Sequence, residues 1–496
     1  MPPTFEELRE RYCMRYKWLV LLTVMIGSMA SILSSTIVNV AIPDLSQHFV
    51  LGQDRAQWVS AAFMLSMTLS MLTTPWLLLR FGLRRTYTWT ILLLLAGGVL
   101  GGFSINYPML LSMRVAEGLA AGVLQPIPAI VILRAFDVKE QGKAMGIFGF
   151  GVVLAPALGP SVGGFLVEIF GWRSIFFVVV PFCLIVLVLI RRFLSVNSPL
   201  MGDARALDWK GLLLAGICSI SLINGLVHLH DDVLLAGGLL TLALICFVIF
   251  IRYQLALEQP LMDMRLFAFR QFAMGALVSF IYGMGLFGST YLWPVYMQMA
   301  LQYAPSQAGL ILLPAGIVLA FTIPLAGKLA DRFAPHLLVA FGLGLLALSF
   351  GLMALGSGEK GYAGHSGYLT LTAWAIIGRV GLGFVLPALS LGAMRGVDFS
   401  LIAQGASTIS FLRQLGGAIG VSMVGIVLEW RLAAHHTALK VDAGSTVGAA
   451  AIAMAAKIEA FNETLFCVAA ICGLAVFAAW RMEAKPVDIG AQPGVS

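Results

Sequence analysis

Few residues in this chain could do chemistry, and most of them stand inside apolar stretches. Arg114 and Glu117 are three apart within the hydrophobic run 109–133, so on a helix they share one face. Ionisable groups inside an apolar span are costly and are functional candidates by default. Burial disfavours the charged form of a carboxylate, whereas an adjacent guanidinium favours it. A pair balanced in this way can exchange a proton as solvent access alternates between two sides. The same pair can also be a static ion pair that fixes helix packing. Glu117 is the only carboxylate well inside the first six apolar runs. Arg379 and Arg413 occupy later runs with no acid beside them, and they need backbone carbonyls, water or an anionic partner.

The run 272–293 carries Tyr282, Phe287, Tyr291 and Trp293 among Gly275, Gly283, Gly285 and Gly288. Aromatics beside small residues can line an adaptable apolar pocket. Tyr282 and Phe287 have the depth for that role, while Tyr291 and Trp293 suit an aromatic belt at the membrane interface.

Other constellations carry less. The six cysteines are scattered, five of them in apolar runs, and none forms a Cys-x-x-Cys pair; they read as packing residues. His228-Leu-His230-Asp231-Asp232 has metal-ligand types but lies in a short turn without room for an ordered outer shell. His435-His436 reads as a solvated pair in an Ala- and Gly-rich, partly helical surface loop over 429–458. No metal or cofactor is expected. No nucleophile elbow, His-Glu-x-x-His or phosphate-binding loop occurs in a usable context, which argues against an enzyme.

The elements that position these residues follow from composition. Of 496 residues, 59% are hydrophobic and 11% charged, and the mean hydropathy is +0.93. A soluble domain carries about a quarter charged residues. The apolar residues come in long runs rather than alternating, which excludes a transmembrane barrel. About 20 apolar residues span the hydrocarbon as a helix. Runs of that order lie at 17–41, 57–79, 86–104, 109–133, 144–167, 174–190, 210–228, 233–251, 272–293, 307–327, 336–355, 367–390, 403–428 and 459–480. The first is too long for a signal peptide and is expected to stay as an anchor.

Placing the N-terminus inside puts 22 of the 31 Lys and Arg residues on the cytoplasmic side. That bias fits an even number of crossings with both termini inside. It also accounts for the net charge of +7 without nucleic acid as a partner. The expected fold is therefore an all-α membrane protein of fourteen spans.

Several stretches resemble one family. Ala155-Pro156-Ala-Leu-Gly159-Pro160-Ser-Val-Gly163-Gly164 is similar to the antiporter motif of major facilitator superfamily drug exporters, and Arg114-Val-Ala-Glu117-Gly118 resembles their fourth-helix Arg motif. Ser35-Thr36-Ile-Val-Asn39-Val-Ala41-Ile-Pro43 resembles the first-helix signature of the fourteen-span drug:proton antiporters, the EmrB/QacA type. Gly327-Lys-Leu-Ala-Asp331-Arg332 resembles the loop motif that latches the cytoplasmic side, and Arg413-Gln414-Leu-Gly416-Gly417 is a further match.

The resemblance implies a six-helix bundle over 1–192, two additional helices over 193–271 and a second six-helix bundle over 272–496. It implies proton-driven export of hydrophobic or amphipathic small molecules from the bacterial inner membrane, with a periplasmic adaptor and an outer-membrane channel as partners in some members. A dedicated exporter of one metabolite or lipid, or a transport-dead membrane sensor, are the rival readings. The antiporter-motif helix is expected at the interface between the moving halves. Ser34, Asn39, Tyr282, Phe287 and Arg413 are the expected cavity residues. Arg80, Gly82, Arg84, Asp331 and Arg332 are the expected cytoplasmic gate.

Three departures matter. Ser34 stands where the first-helix signature usually has an acid, Glu117 where the fourth-helix motif often has Gln, and Leu79 where the first-half loop motif has Asp. Glu117, with Arg114 beside it, is therefore the expected proton-coupling site, and the latch leans on Asp331 and Arg332.

Overall fold

In the computed structural model, described residues are 5–195, 206–229, 232–356, 365–442 and 449–482. They form helices and no strand. In chain order the α-helices are α1 (Phe5–Tyr12), α2 (Tyr16–His48), α3 (Gln53–Met71), α4 (Thr74–Gly102), α5 (Tyr107–Leu124), α6 (Ile127–Ala135), α7 (Val138–Phe170), α8 (Ser174–Phe177) and α9 (Val179–Phe193). There follow α10 (Trp209–Val227), α11 (Val233–Ala256), α12 (Arg270–Met299), α13 (Pro305–Ala330), α14 (Pro335–Gly356), α15 (His365–Met394), α16 (Ile402–Asp442) and α17 (Ala449–Trp480). Among the described residues, eleven helical segments are each long and apolar enough to cross a membrane. Arg55–Met71 and Thr74–Gly102 pass the same test together, bent by 80°.

Local chemistry explains the breaks. Gly82 interrupts α4 with φ 73° and ψ 168°, a conformation open essentially to glycine alone. It falls between the two apolar runs expected at 57–79 and 86–104. Asn106 caps α5 by accepting from the Met109 amide, and Pro108 sits in the first turn, where its missing N–H costs nothing. Asp232, from the suspected His/Asp cluster, caps α11 through the Leu234 and Leu235 amides; His230 and Asp231 lie outside the described residues. The stretch 429–458, expected as a partly helical surface loop, begins as helix, since α16 runs on to Asp442. There Arg431 and His435 face Glu463 of α17, at 3.0 and 3.3 Å. His435 is thus a helical, half-buried residue rather than a solvated loop residue.

Two sets of helices repeat one packing scheme. In the first, α2 packs on α7 and α9, and α5 on α3 and α4. In the second, α12 packs on α16 and α17, and α15 on α13 and α14. The hairpin α10–α11 lies at the edge, against α16 and α3. Its apolar residues, among them Leu213, Leu234 and Leu244, remain exposed, as befits helices solvated by lipid tails.

Candidate functional site

Arg114 is the largest side chain with no exposed surface at all. Its Nη1 donates to Glu117 Oε2 at 2.6 Å, to the Ser34 hydroxyl at 3.2 Å and to the Ser34 carbonyl at 3.3 Å. Its Nε donates to the Val59 carbonyl at 3.1 Å, and the guanidinium lies 4.3 Å from the centre of the Phe63 ring. One cation thereby ties α5 to α2 and α3. Glu117 is equally buried and faces Gly97 and Gly98 of α4. Its Oε1 has no hydrogen-bond partner, and neither does Arg114 Nη2. Such orphaned groups are costly where no water reaches them, so the site is satisfied only in part.

Ser34, expected in the substrate cavity, is 2% exposed and belongs to this cluster instead. The reason is its helix face: on α2 it points to α5, whereas Asn39 is exposed and accepts from the Ser60 hydroxyl at 2.7 Å. Neither the Ser34 contact, 80 positions away in sequence, nor the Phe63 ring carries a local sequence signal.

The antiporter-motif helix α7 borders the second set at α13, while two of its motif glycines face α2. Gly159 and Gly163 face Thr36 and Ile37 of α2, where an added Cβ would come within 2.6 and 2.7 Å. This four-residue seam of small residues is internal to the first set of helices. Pro156 and Pro160 lie in α7, with side chains outside the described residues. The contact of α7 with the second set uses Gly142, Gly146 and Gly149, against α13. An added Cβ on Gly327 would come within 2.7 Å of Gly146 Cα, so the two backbones touch. The two seams lie on different faces and at different ends of one long helix, because 3.6 residues per turn separates positions 142 and 159 by more than a quarter turn.

Asp331 closes this same end. Its Oδ1 accepts from the Gly142 amide at 2.6 Å and its Oδ2 from the Lys143 amide at 2.8 Å, near the positive end of the α7 dipole. Burial lifts its carboxyl above the ordinary aspartate value, against the opposing pull of those two amides. Arg332 beside it is exposed. In the first set, Arg80 is exposed, Gly82 makes the break and Arg84 is half-buried with one unpartnered nitrogen. Arg134 adds a contact the sequence did not announce, donating to the Phe399 carbonyl at 3.0 Å.

In the second set, Tyr282 is buried and its hydroxyl is 3.4 Å from the Leu382 carbonyl. It lies within electrostatic reach of both Arg413 and Arg379. Those two arginines are half-buried. Phe287 packs over Gly417 of α16. Trp293 is not a belt residue: it is 4% exposed and, with Ser289, Ser349 and Arg379, lines a cavity of about 10 Å³. Positions 282, 289, 293 and 296 fall on one helical face turned inward, while Tyr291 falls off it and is 40% exposed.

These two helix sets, joined at a glycine crossing and holding ionisable groups in apolar interiors, can be placed among known proteins. A family model described as the Major Facilitator Superfamily matches residues 24–421. The chain belongs to that superfamily. Its members are transporters and not enzymes, and this chain is a multi-pass protein of the cell membrane. A "Multidrug resistance protein B homolog" of Mycobacterium tuberculosis (strain ATCC 25618 / H37Rv) is 31% identical over 431 residues, 84% of this chain and 78% of that protein. The "Lincomycin resistance protein LmrB" of Listeria monocytogenes serovar 1/2a is 26% identical over 465 residues, 92% of this chain and 96% of that one. The solved structure of the proton:xylose symporter XylE superposes with a TM-score of 0.62 at 13% identity, covering 94% of this chain and 95% of the symporter. At that identity the likeness speaks for the fold alone.

Proposed function

We propose that this member of the superfamily is a proton-coupled efflux transporter, exporting hydrophobic or amphipathic small molecules by alternating access. Two of its relatives bear the names of resistance proteins, which supports export. On this reading the chain makes fourteen crossings with both termini in the cytoplasm of a bacterium. It divides into six-helix bundles at 1–192 and 272–496 and an inserted helix pair within 193–271. The end that carries Gly82, Gly142 and Asp331 is the cytoplasmic gate, and the drug:proton antiporters of the EmrB/QacA type are its branch. In a double-membraned bacterium, an adaptor and an outer-membrane channel would complete the route.

The observation that carries the coupling is Glu117, a carboxylate with no exposed surface, one oxygen on Arg114 and the other unpartnered. Protonation of Glu117 removes the charge that holds Arg114 Nη1. The guanidinium then rests on Ser34, Val59 and Phe63 alone, so the proton alters the grip between α5, α2 and α3. Since the carboxylate is sealed in this arrangement, it exchanges its proton only when those helices part. The substrate occupies the space bordered by Asn39, Tyr282, Phe287 and Arg413.

The test is export of an amphipathic dye into inverted membrane vesicles. Glu117→Gln should abolish accumulation driven by a proton gradient while downhill dye exchange continues. Undiminished gradient-driven accumulation in that variant would overturn the reading.

A further inference from the structure

Arg379 and Arg413 are unexplained by the coupling site. They sit on different helices, α15 and α16, and both lie within electrostatic reach of Tyr282. Neither side chain makes an ion pair or hydrogen bond to a described residue, and both keep part of their surface open. A cation in an apolar span normally pairs with an acid, a carbonyl or water. Among the described residues α12 to α15 hold no acid, and α16 and α17 hold Glu429, Asp442, Glu459 and Glu463, of which Glu463 is already faced by Arg431 and His435.

Sequence repetition sharpens the point. Arg379-Val380-Gly381-Leu382-Gly383 on α15 aligns with Arg114-Val115-Ala116-Glu117-Gly118 on α5. The arginine is kept and its acid is replaced by Leu382. The second set therefore holds two positive charges with no internal counter-ion around one hydroxyl. That hydroxyl is itself only weakly engaged, at 3.4 Å from the Leu382 carbonyl, and is free to turn as a donor. The backbone here is rigid, because Gly283 abuts the Arg413 carbonyl and Gly416 abuts Phe280. Arg379 also lines a small cavity together with Ser289, Trp293 and Ser349.

We propose that Arg379, Arg413 and the Tyr282 hydroxyl form a receptor for an anionic group, a carboxylate or sulfonate, carried by the exported molecule. This rests on the export reading and narrows it to amphipathic acids. Guanidinium is suited to the task, since it offers planar pairs of donors to an oxyanion.

The test uses the purified full chain in lipid nanodiscs without any gradient. Binding of dansylglycine is compared with binding of its uncharged amide by fluorescence titration. The acid should bind about tenfold tighter or more, the scale of one charge-assisted hydrogen bond. Arg379→Gln and Arg413→Gln should each erase that preference, and Arg379→Lys and Arg413→Lys should keep part of it. Equal affinity of acid and amide for the unaltered chain would overturn the proposal, as would a preference that survives both Gln variants. Should the Gln variants fail to stay monodisperse, the acid–amide comparison on the unaltered chain and the Lys variants decides. A preference that disappears whenever chloride replaces gluconate would assign a halide site and likewise overturn it. Failure here, with dye export still sensitive to Glu117→Gln, removes the acid receptor alone. Loss of coupled export, with the acid preference intact, removes the coupling reading alone.

Discussion

Arg114 and Arg379 head matching stretches on α5 and α15, and those helices pack in matching ways, on α3 and α4 in one case and on α13 and α14 in the other. Their surroundings differ. Arg114 has no exposed surface and donates to a carboxylate, a hydroxyl and two carbonyls. Arg379 remains half-open and faces a cavity, with a leucine in place of the acid. A buried charge is tolerable when hydrogen-bonded and paired, and costly otherwise. The first half therefore holds its arginine as a structural tie, one that a proton would weaken on the coupling reading proposed above. The second half leaves its arginine available to something from outside the chain. Duplicated halves can diverge in this way through one side chain, since a single carboxylate decides whether the guanidinium is satisfied from within.

The largest expected effect tests that difference directly. Glu117→Ala strands a guanidinium in the interior and should cost roughly 3–5 kcal/mol, read as a lowered thermal midpoint of the purified protein. Arg379→Met strands no acid, and its effect should stay within about 1 kcal/mol. Equal losses for the two variants would show that Arg379 also has an internal partner, and the contrast between the halves would fail.

Much of this was legible in the sequence, for reasons that can be named. Apolar length located the helices, and the three-residue spacing of Arg114 and Glu117 fixed their shared face. The absence of an acid near Arg379 and Arg413 left backbone carbonyls, water or an anionic partner to satisfy them. What sequence could not supply was the pairing of helix faces. Ser34 was read as a cavity residue because its segment resembles a signature, yet its rotation on α2 turns it to Arg114. Trp293 was read as interfacial from its nearness to a helix end, yet its face turns inward. Gly327 belongs to a legible motif, but its partner Gly142 does not, because a glycine crossing between helices 185 positions apart leaves no local pattern. The spans of α10 and α11 were found from hydropathy, while their peripheral place depends on contacts alone.

A smaller effect should appear behind the ion pair. A Cβ on Gly97 would lie 2.5 Å from Glu117 Cγ and 3.3 Å from the Glu117 amide nitrogen. The nitrogen belongs to helix backbone and cannot give way, so Gly97→Ala should cost about 1–3 kcal/mol by overpacking. Gly344, on α14 in the second half, has nothing within 4 Å of an added Cβ. Gly344→Ala should be neutral or stabilising by up to about 1 kcal/mol, the usual helix preference for Ala over Gly. Thermal melts of the two single variants check this, and a harmless Gly97→Ala would mean that α4 and α5 are more loosely packed around Glu117 than their contacts imply.

The smallest effect concerns the proposed latch, where the halves differ again: Asp331 accepts from two amides of α7, while Leu79 on α4 has no carboxylate to offer α16. Burial holds the Asp331 carboxyl above its ordinary value in the closed arrangement, despite its two amide donors. A group whose proton is held more tightly in the closed state favours closure below its open-state value, and that contribution is lost as pH rises through the closed-state value. Acidification towards the ordinary aspartate range should therefore raise the closed population. One proton bounds the response at about tenfold per pH unit. Spin labels at Val138→Cys and Phe333→Cys, both exposed positions flanking the crossing, would report the distance. The pH response should flatten when Asp331→Asn is added, because an amide cannot titrate. A closed population that falls on acidification, or a response unchanged in the Asn variant, would show that the amides outweigh burial or that another group sets the latch.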